Sequence, residues 1–220
     1  MRKIVASAFV SLDGVMQAPG GPEEDPTGGF EEGGWSFSYW DEMMHREMGA
    51  AMAARFDLLL GRKTYEVFAA HWPYAGDDPV SQLFNRITKY VASRTLNSLS
   101  WVNSRLIEGD VAGEVGRLKQ TSGPDLQVHG SSVLLQTLIG ADLIDEYRVW
   151  IFPLVLGHGK RLFEPGVGAR ALSLAATRLS STGVLVNTYR PAGPLKPGSF
   201  AQGTPSPAEI ARREKLQREA

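Results

Sequence analysis

Short apolar runs, cut by glycine, proline or charge, recur along this chain. Over its first two-thirds they alternate with stretches where apolar residues return every three or four positions. Residues 3–10 (KIVASAFV), 56–60 (FDLLL), 89–93 (KYVAS), 101–107 and 126–129 (LQVH) read as strands, most of them buried. Helices are predicted over 39–55, after Gly61-Arg62-Lys63-Thr64, over 78–87 and 110–120, and from Gly130-Ser131-Ser132 to Ile139. Trp40, Met43, Met44, Met48 and Met52 make a stripe that reads as core packing. The last third changes character: 147–156, 171–179 and 183–190 look like strands without intervening helices, the final two as an antiparallel pair. This order predicts an α/β fold, a mostly parallel twisted sheet flanked by helices with an antiparallel C-terminal edge. It predicts one domain over 1–190. Residues 191–220 read as a flexible Pro/Gly-rich linker and a short charged helix opened by Ser206-Pro207-Ala208-Glu209.

Composition narrows the function. The 220 residues include 23 Lys+Arg against 24 Asp+Glu, a net charge of −1, so no global basic field draws nucleic acid. With no cysteine there is no disulfide, thiolate metal site or cysteine nucleophile. No apolar run reaches the ~20 residues that span a bilayer, and the N-terminus lacks the form of a secretory signal, so a cytoplasmic protein is expected. His45, His71, His129 and His158 show no metal-ligand spacing. The loop 11–37 holds seven glycines and six acidic residues but no Lys or Arg, so its side chains cannot hold a phosphate. Its length and its aromatics, Trp35, Phe37 and Tyr39, read either as a lid over a substrate or as packing onto the sheet.

Two junctions share one design of strand, glycine turn and helix start: LLLGRKTYE (58–66) and LQVHGSSVLLQTLI (126–139). In a parallel sheet such turns sit at the carboxyl ends of strands, where helix N–H groups receive anions. Gly61 and Gly130 admit close backbone approach, Thr64, Ser131 and Ser132 add hydroxyls, and Arg62 and Lys63 add positive charge. With a third strand ending in Ser93-Arg94, these junctions read as a site for a diphosphate-containing nucleotide, or as ordinary capped turns. Neither a G-x-G-x-x-G at a helix start nor a P-loop is present. Ser132, Asp142 or Asp145, and His158 follow the chain order of a hydrolase triad, but the second glycine of the nucleophile elbow is missing and the spacing is cramped.

The segments VSLDGV (10–15), LLLGRKTYE (58–66), KYVASRT (89–95), VHGSSVLLQTLI (128–139) and YRVWIFPLVLGHGKRLF (147–163) resemble the dihydrofolate-reductase-like superfamily. Within it the chain is most similar to the C-terminal reductase domain of the bifunctional riboflavin-biosynthesis deaminase/reductase, over about residues 2–190. The resemblance implies NADPH as hydride donor, a planar heterocyclic small molecule as substrate and a homodimer. Carried onto matching positions, it implies Gly61, Arg62, Lys63 and Thr64 at a cofactor phosphate, and Ser93 and Arg94 at the adenosine 2′-phosphate. It further implies Gly130, Ser131, Ser132 and Val133 at the diphosphate, and Ala6 and the Asp13-Gly14 turn beside the nicotinamide. Asp13, Trp35, Tyr39 and Asp41 are the candidate substrate contacts; no residue is assigned as proton donor. Two departures stand out. Asp41 is the nearest match to the folate-binding carboxylate, yet its setting is equally that of a helix N-terminus. The substrate of the riboflavin pathway carries a ribose phosphate, for which the 11–37 loop offers no cation and only Lys160 and Arg161 lie near the other expected wall. The other reading is a non-catalytic dimer that binds a nucleotide for sensing or stability.

Overall fold

The computed structural model describes residues 1–200 and 203–219. Part of the linker expected over 191–207, residues 201 and 202, lies outside the described residues. Among the described residues, eight strands form one sheet: β1 (Ile4–Ser11), β2 (Phe56–Gly61), β3 (Lys89–Ala92), β4 (Ser104–Ile107), β5 (Asp125–His129), β6 (Glu146–Phe152), β7 (Leu172–Leu179) and β8 (Leu185–Pro191). The helices are α1 (Glu42–Ala53), α2 (Arg62–His71), α3 (Pro79–Arg86), α4 (Val111–Gln120), α5 (Ser132–Gly140) and α6 (Pro207–Glu219). Strand order is β4-β3-β2-β5-β1-β6-β8-β7. The pairs from β4 to β6 are parallel, while β8 runs antiparallel to both β6 and β7. The mostly parallel sheet with an antiparallel C-terminal edge is thus as the residue pattern predicts.

Strand alternation divides the core between the two faces of the sheet. Ile4, Ala6, Ala8 and Val10 of β1 join Leu59, Val128 and the apolar face of α5 (Leu134, Leu135, Leu138, Ile139) in one cluster. Phe56, Leu58 and Leu60, offset by one residue from Leu59, pack instead with Tyr65, Phe84, Val91 and Trp101 on the opposite face. Met44, Trp150, Phe152 and Val184 build a third cluster, with Phe9, Trp40, Met43 and Met48 packed against it, so most of the methionine stripe is core packing. Among the described residues, no helix is long and apolar enough to cross a membrane.

The chain inserts β5 between β2 and β1 after having built β2, β3 and β4 outward. That reversal brings the carboxyl ends of β2 and β5 side by side, the position at which open α/β sheets form ligand crevices.

Lys89 is a charge the pattern hid within the strand KYVAS. Its side chain is fully buried; Nζ donates to the Phe84 carbonyl at 2.7 Å and lies 4.3 Å from the centre of the Trp101 ring. Burial draws its amine from 10.5 down to about 8. Between those pH values the unfolded chain binds more protons than the folded one, so stability contributed here rises with pH from about 8 to 10.5. Lys89→Met is expected to remove that rise. Unfolding free energies of both proteins across this range check it, and parallel pH profiles would refute it.

Candidate functional site

The two glycine junctions meet directly. Gly61 N–H donates to Ser131 Oγ at 2.9 Å, Ser131 N–H donates to Thr64 Oγ1 at 3.0 Å, and Ser131 Oγ donates to the His129 carbonyl at 3.1 Å. Gly130 (φ +56°) and Ser131 (φ +58°) are both left-handed. Such a conformation is uncommon for serine, and these three hydrogen bonds hold it. Thr64 and Ser131 therefore fasten the two turns together. What the turns present outward is backbone. Asp41, Asp78 and Asp110 cap α1, α3 and α4 with their carboxylates, but no side chain caps α2 or α5. The first-turn N–H groups of these two helices therefore have no side-chain cap, and such groups at a helix start suit an anion.

They open into a cleft of about 1190 Å³. Gly61, Arg62, Lys63, Thr64, Ser93, Arg94, Gly130, Ser131, Ser132 and Val133 all line it. Ala6 does not: it is buried in the sheet, paired with Val128 and Tyr147, while the next residues, Ser7, Ala8 and Phe9, reach the cleft. Ser93 Oγ accepts from Thr95 N–H and Leu96 N–H, shaping the turn after β3. Arg94 is exposed and, among the described residues, makes no hydrogen bond or ion pair. Every other cation of the wall has an acidic partner. Arg62 pairs with Glu66 at 3.0 Å and Arg148 with Glu146 at 2.9 Å, while Lys63 and Lys160 share Asp25.

None of the four candidate substrate contacts forms part of the cleft wall. Asp41 Oδ1 accepts from Met44 N–H, and Oδ2 from the N–H and hydroxyl of Ser181, so its carboxylate caps α1 and ties it to the β7–β8 turn. These bonds hold it below the usual carboxylate range. Asp13 accepts from Ser11 Oγ, Leu156 N–H and Gly157 N–H; the Ser11 bond leads in holding it well below its ordinary value, against burial, which raises it, and with the two backbone bonds adding to the lowering. Trp35 donates to the Gln17 carbonyl and packs edge-on against Phe152, as does the Tyr39 ring. The 11–37 loop is accordingly a packed element with its own small core of Val15, Ala18 and Phe30. The packing reading describes Trp35 and Tyr39, whereas Phe37 is 82% exposed.

Several wall residues escaped the sequence reading. Gly109 to Ala112 form a third strand–glycine–helix junction, hidden because β4 is short and weakly apolar, and signalled only by Ile107-Glu108-Gly109-Asp110. Gln17, Glu24, Asp25 and Thr27 face the cleft from the loop. Burial raises Glu24, against bonds from the Gly20 and Gly21 N–H groups. Burial would also raise Asp25, but bonds from Lys160 and Thr27, with the charge of Lys63, outweigh it and lower the carboxyl. His129 lies on the cleft between the rings of Phe56 and Phe84, its Nε2 3.0 Å from Gln127 Oε1. Burial, helped by the Arg148 charge, lowers it to about 4, so it is a neutral ring at pH 7. Phe9, Trp40 and Trp150 give the α1 side an aromatic surface.

The family model described as the RibD C-terminal domain matches residues 2–186. This chain belongs to the RibD C-terminal domain family. Two relatives from Bacillus subtilis strain 168 bear the names uncharacterized protein YyaP and uncharacterized protein YwjB. The first is 29% identical over 202 residues, covering 86% of this chain and 94% of the relative. The second is 26% identical over 194 residues, covering 86% and 98%. Among solved structures, a putative riboflavin biosynthesis protein from Shewanella sp. PV-4 aligns with a TM-score of 0.62 at 19% identity, over 86% of this chain and 98% of its own. Dihydrofolate reductase from Enterococcus faecalis, complexed with NADP(H), aligns with a TM-score of 0.54 at 16% identity, over 86% and 96%. The deaminase/reductase from Thermotoga maritima aligns with a TM-score of 0.57 at 11% identity, over 87% of this chain but 57% of its own. The RibD C-terminal domain seen here thus has a dihydrofolate-reductase-like fold. Family and fold together support a reductase-like role.

Proposed function

We propose that this protein is an NADPH-dependent reductase that delivers hydride to a C=N or C=O bond of a planar heterocycle. One observation carries the reading: two uncapped helix N-termini and the unpaired Arg94 open onto one cleft that continues onto the aromatic surface of Phe9, Trp40 and Trp150. The donor set suits a dinucleotide phosphate. The first-turn N–H groups of α2 and α5 would hold the diphosphate, since backbone donors at a helix start favour an anion. Gly130, at φ +56°, lets that backbone come close without a side chain between. Arg94, with the Ser93 hydroxyl beside it, would take the 2′-phosphate, for which a guanidinium fork is suited. Asp110 caps α4 with a carboxylate, which directs phosphate away from that helix. When bound, NADPH supplies the hydride. The chain orients the two ring systems and excludes water, with Trp40, Trp150 and Phe9 as the apolar surface under the heterocycle.

Titration of the purified protein with NADPH and NADH, followed by nicotinamide fluorescence, tests this. Micromolar NADPH binding with clearly weaker NADH binding is expected, and binding of neither would remove the reading. Oxidation of NADPH with pterins, aminopyrimidines or quinones then separates a reductase from a protein that only holds the nucleotide.

A further inference from the structure

The cationless loop of the sequence has a consequence at the cleft. Its residues Glu24 and Asp25 face the same space as the two lysines of the opposite walls. Lys160 Nζ binds Asp25 and donates to Thr27 Oγ1 at 2.9 Å, while Lys63 Nζ donates to Thr27 Oγ1 at 3.0 Å and lies 3.9 Å from Asp25. Lys63 and Lys160 thus already hold a carboxylate between them. Across the whole lining, five cations stand against four carboxylates. A bound NADPH would bring a diphosphate and a phosphate monoester, the latter alone worth about −1.5 to −2 charges. With that cofactor in place the cleft has a clear negative excess. At the Lys63–Lys160 pair, a second phosphate group would have to displace Asp25 and then lie beside it and Glu24, at the cost of breaking partly buried ion pairs, while Arg148 is already paired with Glu146 and Arg62 with Glu66. The lining next to α1 offers no new cation: Phe9, Trp40, Met48, Met52 and Trp150 supply flat rings and polarisable thioethers.

We propose that the substrate of this cleft is an uncharged, flat aromatic heterocycle that bears no phosphate, with Asp25 as the residue that excludes phosphorylated analogues. This rests on the reductase reading and narrows its substrate class. Riboflavin and its 5′-phosphate differ by one phosphate group and serve as a matched pair of probes. Binding of each is followed by quenching of flavin fluorescence, first with NADP⁺ at a saturating level fixed by its own titration, then without it. Riboflavin is expected to bind at least ~10-fold more tightly than the phosphate, about 1.4 kcal/mol, and Asp25→Asn is expected to narrow that gap by improving the phosphate. Equal or tighter binding of the phosphate by the unaltered protein overturns the proposal, as does failure of riboflavin to bind. An Asp25→Asn protein with an unchanged ratio overturns the role of Asp25. Since the flavin comparison is also run without cofactor, a failure of NADP⁺ to bind would count against the reductase reading separately.

Discussion

Asp57→Ala is expected to destabilise the protein by about 3–5 kcal/mol, the loss typical of leaving one member of a buried ion pair without its partner. Asp57 Oδ2 accepts from the Arg2 guanidinium at 2.5 Å, and Arg2 is 2% exposed. The rest of that guanidinium is satisfied by the Pro124 carbonyl, by Tyr90 Oη at 3.3 Å and by the Tyr90 ring, whose centre lies 5.3 Å away. The second oxygen of Asp57 accepts from Thr88 N–H at 3.2 Å. One carboxylate therefore links β1, β2 and the entry to β3 at the amino ends of the strands, far along the chain from one another. Its removal leaves an uncompensated buried cation and an orphaned backbone donor. Chemical denaturation measures the loss. The double replacement Arg2→Met with Asp57→Leu is expected to recover a large part of it, because an apolar pair of similar volume has no charge to desolvate. A single-variant loss below 1 kcal/mol would mean that water reaches Arg2.

The second large effect is functional. Arg94→Ala is expected to weaken NADPH binding by roughly 1.5–3 kcal/mol, the range for hydrogen bonds to a charged group, and to leave NADH binding almost unchanged. Arg62, Lys63, Arg148 and Lys160 are each engaged by a carboxylate of the protein, so a ligand phosphate would compete for them, whereas the Arg94 guanidinium is free to bind one. The side chain is exposed, so its removal is not expected to disturb the core. Parallel titrations of the two cofactors check the difference. Equal losses for NADPH and NADH would remove Arg94 from the 2′-phosphate.

Much of this molecule is written locally. The β-branched and leucine-rich runs mark β1, β2, β3 and β6 because a strand buried on both faces needs apolar residues at every position. Leu60-Gly61 and His129-Gly130 mark helix starts because the turn between a strand and a helix needs backbone freedom, which Gly130 uses at φ +56°. The two glycine junctions and Arg94, which line one cleft, could therefore be picked out from residue type and spacing. The weak strand β4 concealed the third junction, since Ser104 and Arg105 give it little apolar signal.

What the sequence could not contain is which distant residues meet. Gly61 and Ser131, 70 positions apart, share a hydrogen bond only because β5 enters the sheet between β2 and β1. Asp25 neutralises Lys160 across 135 positions, and Asp41 turns to Ser181 across 140, which takes its carboxylate out of the cleft. Lys89 reads as an ordinary strand-edge lysine until α3 and Trp101 close over it. Periodicity reports how each segment is buried, and with residue type at the turns it determined the elements, their order along the chain and the two glycine junctions. The pairing of charges depends on strand order and on the path of a long loop, so the tertiary structure alone decided which cations remain free to meet a ligand.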